Sequence, residues 1–215
     1  MTSGGIQLVV GSRGSGKSTK ARELAKPYKM AIAIDPARDW QRTRGWKRAN
    51  DLKQVIALIR RHWKAGARIS YTPPVGYEAE ALNHVARIVT QAQAGFAEGR
   101  LKRKFLIAVD EAAECYGNRH QEATAMAEFK RVINQGRHDG IDVIAITQRP
   151  ADVATRLRTN ADIWWAFRLG DQTAIKAVAE KIGRKEAAQL ATMPPFTYLQ
   201  ISNGNVQKGR TRKPR

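Results

Sequence analysis

Gly11-Ser12-Arg13-Gly14-Ser15-Gly16-Lys17-Ser18 satisfies the pattern G-x-x-x-x-G-K-[ST] in full. Glycines in such a loop let the backbone wrap closely around phosphate, with successive N–H groups converging at the N-terminus of the next helix. The segment through Thr19 is therefore expected to bind a nucleoside triphosphate, ATP or a close relative. Lys17 should reach the β- and γ-phosphates, and the Ser18 hydroxyl should supply one Mg²⁺ ligand. Downstream, the apolar run Phe105–Val109 ends in Asp110-Glu111. Asp110 is expected to join Ser18 in the magnesium shell, and Glu111 to polarise the attacking water. The second acid separates hydrolytic enzymes from nucleotide kinases, which lack a base there. Acids are also common at solvent-exposed strand ends, but an acid pair downstream of a complete phosphate loop favours chemistry. A third apolar run, Val143–Thr147, ends in Gln148-Arg149-Pro150. The Gln148 amide could bond both the γ-phosphate and the lytic water, or simply cap the strand.

These residues need a frame that brings several strand ends together. Apolar β-rich runs alternate with helical stretches, the pattern of an α/β protein with a mainly parallel central sheet and helices on both faces. Strands are expected at Ile6–Val10, Met30–Ile34, Arg68–Thr72, Phe105–Val109, Val143–Thr147 and Ile163–Leu169. Another, Thr197–Ser202, should close the sheet edge. Helices are expected at Ser18–Ala25, Asp51–Ala65, Tyr77–Ala97, Glu122–Gln135 and Gln172–Ile182. In the second of these, Leu52, Val55, Ile56 and Ile59 share one face. Trp164 and Trp165 lie in a strand, where core packing is their expected role. One ATPase domain over residues 1–206 is expected, followed by a basic, disordered tail at 207–215 with five positive charges. Trp40–Asn50 reads as an insertion or flexible surface loop.

Thirty-eight Lys and Arg against 19 Asp and Glu leave a formal net charge of +19. Such a surface calls for a polyanion, with nucleic acid first and anionic membrane second. A generally basic proteome is the plain alternative. Arg38–Arg48 interleaves five positive charges with Trp40 and Trp46. That composition suits phosphate contact and base stacking, and equally a solvated loop whose tryptophans tuck against the domain. No apolar run is long enough to span a bilayer, and the N-terminus lacks the regions of a signal peptide. One cysteine, Cys115, permits no internal disulfide. The four histidines are too dispersed for a zinc site. A cytoplasmic location is expected.

Gly136-Arg137-His138-Asp139-Gly140-Ile141, followed by a strand ending in Thr147-Gln148-Arg149-Pro150, resembles the FtsK/HerA superfamily of DNA-pumping ATPases. Asp35-Pro36 and Thr159-Asn160-Ala161-Asp162 are similar to further segments of that group. The similarity covers about Gln7 to Leu169 and implies a RecA-like P-loop fold. It further implies a homo-oligomeric ring, usually of six subunits, with ATP at the interfaces and an arginine finger supplied by the neighbour. Arg137 is the first candidate for that finger, followed by Arg149 and Arg168. A helix-end role interacting with the dipole is the other reading of Arg137.

A bare ATPase of this size looks like the genome-packaging ATPases of tailless, membrane-containing or icosahedral viruses. That likeness implies a motor gripping double-stranded DNA with little sequence preference, acting in the host cytoplasm or at a packaging vertex beside capsid or membrane-associated proteins. The rival class is a phage morphogenesis or secretion ATPase of the zonula-occludens-toxin-like type, whose members typically add a membrane span not seen here. A nucleotide kinase is disfavoured by Glu111 and the T-Q-R-P block. A conjugative coupling ATPase would carry further domains.

Overall fold

The computed structural model describes residues 5–121 and 123–212. Its strands are β1 (Ile6–Val10), β2 (Met30–Ile34), β3 (Trp46–Ala49), β4 (Ala67–Tyr71), β5 (Phe105–Val109), β6 (Ile141–Thr147), β7 (Ile163–Phe167), β8 (Thr197–Ser202) and β9 (Asn205–Arg210). The helices are α1 (Lys17–Ala25), α2 (Leu52–His62), α3 (Glu78–Ala92), α4 (Ala112–Cys115), α5 (Ala127–Gln135), α6 (Thr155–Thr159), α7 (Gln172–Ile182) and α8 (Arg184–Ala188). One sheet runs β3-β4-β2-β5-β6-β1-β7-β8-β9, parallel from β3 through β7 and antiparallel at β8 and β9. The expected mainly parallel sheet is present.

Alternation along the strands sends side chains to two cores. Leu8, Val10, Ile32, Ile107 and Val143 face one side, packed with residues of α2, α3, α5 and α7. Val9, Ala31, Ala33, Leu106, Ile144 and Trp165 face the other, covered by α1 and Trp40. Helix α1 packs over β1, β5 and β6. Helices therefore cover both faces, and the central strands read as continuous apolar runs because neither face meets water.

Three expectations need correction. Trp40–Asn50 is no flexible loop: Trp40 is fully buried, its ring 4.6 Å from that of Trp46, and Trp46–Ala49 forms edge strand β3. The cause is Asp35. Its carboxylate accepts the N–H groups of Asp39, Trp40 and Gln41 at 2.8–3.1 Å and the Ser70 hydroxyl at 2.7 Å, which pins the chain after β2. Thr197–Ser202 does not close the sheet, because β9 pairs beyond it. The segment expected as a disordered tail begins inside β9, so residues 207–210 are ordered; residues 213–215 lie outside the described residues. Asn203 and Gly204, at φ 49° and 75°, supply the left-handed turn that brings β9 back onto β8. The expected helix start at Glu122 also lies outside the described residues; the helix itself runs Ala127–Gln135 after a short 3₁₀ turn.

Candidate nucleotide site

Strand β6 lies between β1 and β5 and sets the geometry of the site. The P-loop leaves β1, the acid pair leaves β5, and Gln148 leaves β6 at the same sheet end, since these strands are parallel and in register. Three segments far apart in sequence thus converge on one crevice at the carboxyl ends of the strands, where open α/β sheets bind ligands.

The P-loop is held from outside and left open within. The Gly11 N–H donates to the Thr147 carbonyl at 3.3 Å, and the Ser12 N–H to the Arg168 carbonyl at 2.8 Å. The Phe196 N–H donates to the Ser15 carbonyl at 2.7 Å. Phe196 sits at φ 64°, a conformation costly for a bulky residue, and its carbonyl accepts the Thr211 N–H at 2.8 Å. The Thr211 hydroxyl donates to Glu23 on α1 at 2.7 Å. Gly16 cannot be replaced cheaply, for its φ is 111° and an added Cβ would lie 3.0 Å from the Phe196 ring.

Helix α1 begins at Gly16 without a side-chain cap. Among the described residues the N–H groups of Gly16, Lys17, Ser18 and Thr19 have no protein acceptor, and the buried Ser15 hydroxyl has no partner. Such orphan donors at a helix N-terminus form an anion site, so the residues present fit a triphosphate. Lys17 is 8 % exposed, and burial lowers its pKa, while the carboxylates of Glu111 and Asp110 work the other way.

The acid pair fits a cation. Asp110 is 4 % exposed, and burial first, then the neighbouring charges of Glu111 and Asp35, push its carboxyl up to about 7. A divalent ion relieves that crowding. Among the described residues no group of three or more His, Cys, Asp or Glu could enclose a metal. A hydroxyl and one carboxylate, completed by phosphate and water, is a magnesium donor set. Ser18 and Asp110 would provide it, and the ion would neutralise charge on the transferring phosphoryl group.

Glu111 occupies the left-handed region at φ 49°, ψ 55°, a local strain of the kind found at working sites. Its N–H donates to Asp110 Oδ1 at 3.1 Å, and its Oε1 accepts from Gln148 Nε2 at 3.1 Å. A cavity of about 270 Å³ opens beside them, lined by Glu111, Glu114, Thr147, Gln148 and Arg149. A carboxylate oriented by an amide at such a cavity can accept a proton from water.

The three candidate arginines fall in different places. Arg149 lines the Glu111 cavity, and the Arg168 backbone carbonyl accepts the Ser12 N–H, so both lie at the P-loop end of the sheet. Arg137 is elsewhere, beside Gly5 and Ile6 at the start of β1 and paired with Asp162. Asp35 and Phe196 are functional supports that sequence reasoning did not single out as such. Asp35 was visible only as a D-P segment after a strand, and Phe196 left no signal.

A family model described as Zonular occludens toxin (Zot) matches residues 5–182. No curated protein sequence matches the chain. The genome packaging NTPase B204 from Sulfolobus turreted icosahedral virus 2, in complex with ATP-gammaS, is similar in structure. Its TM-score is 0.76 at 16 % identity, over 99 % of this chain and 100 % of that one. VirB4 of Thermoanaerobacter pseudethanolicus gives 0.64 at 11 % identity, over 97 % and 89 %. EssC (ATPases 2 and 3) from Geobacillus thermodenitrificans gives 0.58 at 14 %, over 98 % and 39 %. At these identities the likeness is one of fold. Among the described residues no helix is long and apolar enough to cross a membrane.

Proposed function

The chain belongs to the Zonular occludens toxin (Zot) family of P-loop ATPases, and from that premise we propose that it is an ATP-driven motor that moves double-stranded DNA, acting in viral genome packaging. One observation carries the reading: a hydrolytic site with Glu111 oriented by Gln148 at 3.1 Å sits on a chain of net charge +19. A motor that grips phosphate gives such charge something to act on, with little need to read bases. The whole-length likeness to a genome packaging NTPase supports the same choice.

In this reading subunits form a ring, six in number by resemblance, with ATP between neighbours. Lys17 and the P-loop amides bind the phosphates, Glu111 takes the proton of the attacking water, and Gln148 orients it. Arg137 meets the neighbour's nucleotide. A five-residue strand separates Arg137 from the P-loop of its own chain, about 16 Å at the usual rise of about 3.3 Å per residue. The phosphates of its own chain's site are out of its reach, which supports a role in trans.

Family membership itself favours a second reading, an ATPase of phage morphogenesis or secretion. ATP hydrolysis by assembled protein, measured with and without duplex DNA across a salt titration, separates the two. The packaging reading expects stimulation by DNA and affinity falling with a log–log salt slope of about −0.9 for each phosphate neutralised. Hydrolysis indifferent to any nucleic acid would favour morphogenesis.

A further inference from the structure

The segments G-R-x-x-G-I and T-N-A-D meet at the far end of β1 from the P-loop. Arg137 Nη2 donates to Oδ1 of Asp162, just before β7. The other carboxylate oxygen, Oδ2, accepts the N–H of Ile6, the first residue of β1, at 2.8 Å. One carboxylate therefore clamps a guanidinium on one side and the root of the P-loop strand on the other. The fit is close: a Cβ on Gly5 would lie 2.1 Å from Asp162 Oδ2. The arginine side chain is 59 % exposed while Asp162 is 32 % exposed, so the cation faces outward from a partly covered anchor. A polar cavity of about 280 Å³, lined by Arg137, His138, Asn160 and Asp162, lies beside it.

An exposed ion pair contributes little to stability, so stability alone does not account for this arrangement. A guanidinium, however, acts through a planar fork whose orientation decides whether it meets a phosphoryl group. We propose that Asp162 is a positioning residue for hydrolysis in the adjacent subunit, fixing the direction in which Arg137 is presented and anchoring it to β1. The inference rests on the reading of Arg137 as acting in trans.

Asp162→Asn, Arg137→Ala, the double variant, and the charge swap Arg137→Asp with Asp162→Arg test it. Turnover and KM are measured in rings whose assembly is verified by mass, and thermal stability alongside. Asn keeps an acceptor for the Ile6 N–H but loses the charge that holds Arg137. Misplacement of a reacting group by about 1 Å can cost about a hundredfold. Asp162→Asn should lower kcat roughly tenfold to a hundredfold, with KM little changed. It should add nothing in the Arg137→Ala background, because the two act as one unit. The swap should restore neither kcat nor the full melting temperature, because an arginine at 162 cannot accept the Ile6 N–H. Unchanged kcat in Asp162→Asn, an equal loss in the Arg137→Ala background, or turnover rescued by the swap each overturns the proposal. If Arg137→Ala rings themselves turn over at the wild-type rate, the trans reading fails first and takes this one with it.

Discussion

Replacing Asp110 with Asn should stabilise the nucleotide-free protein while destroying its activity, and the gain should grow with pH. Asp110 is buried beside Glu111 and Asp35, which lifts its carboxyl from 3.8 to about 7. In the unfolded chain the proton leaves near the lower value. As pH rises from about 4 to about 7, the folded state therefore keeps a proton that the unfolded state has lost, and stability falls through that window. At about 1.4 kcal/mol for each tenfold step in proton activity, the full penalty is at most about 4 kcal/mol, of which about 2 to 3 accrues between pH 5 and pH 8. Asn cannot ionise, and its carbonyl can still accept the Glu111 N–H. In EDTA, the variant's advantage in melting temperature should widen by up to about 6–12 °C between pH 5 and pH 8, taking about 2–4 °C per kcal/mol for a domain of this size. Magnesium with ATP should narrow the gap by stabilising the wild type alone. Turnover by the variant should be lost. A melting-temperature difference that is constant across pH, or a less stable variant at pH 8, would refute the assignment of strain to this carboxylate.

Glu111→Gln should bind ATP normally and stop single-turnover hydrolysis, whereas Gln148→Ala should slow it about tenfold to a thousandfold at unchanged nucleotide affinity, since it removes the partner that orients the base. Gly16→Ala should abolish tight ATP binding in an equilibrium titration, because φ 111° and the Phe196 ring at 3.0 Å both oppose a Cβ. Asp35→Ala should cost about 3 kcal/mol or more in denaturant unfolding by leaving several N–H groups without their acceptor, and raise proteolysis between Asp35 and Trp46.

The hydrolytic site was legible because its chemistry is written in contiguous stretches: a glycine loop, an acid pair and a strand-ending glutamine. The parallel core was legible for a related reason, since strands covered on both faces must be apolar throughout, as β5 and β6 are. The periphery was harder. Edge strand β3 reads Trp-Lys-Arg-Ala and carries no run of β-branched residues; it exists because Asp35 fixes the chain before it and Trp40 fills the core behind it. Strand β9 is almost wholly exposed and basic, so composition argued for disorder while Asn203-Gly204, a strong hairpin signal, argued otherwise. The placement of Arg137 and the support from Phe196 are tertiary facts, set by contacts across 25 residues in one case and 181 in the other.

The brace running from Ser15 through Phe196 to Thr211 and back to Glu23 decides where the protein can be instrumented. Any truncation or proteolytic cut ahead of Thr211 would leave the P-loop with one support fewer, so a shortened version would report on a damaged site. Arg212 follows that brace directly and is exposed, so a cysteine there would carry an environment-sensitive dye beside the brace. The native Cys115 would not compete for label: it is fully buried, and burial pushes its thiol well above the ordinary range, which leaves it unreactive. A dye there would report on the state of the brace without altering a residue of the crevice.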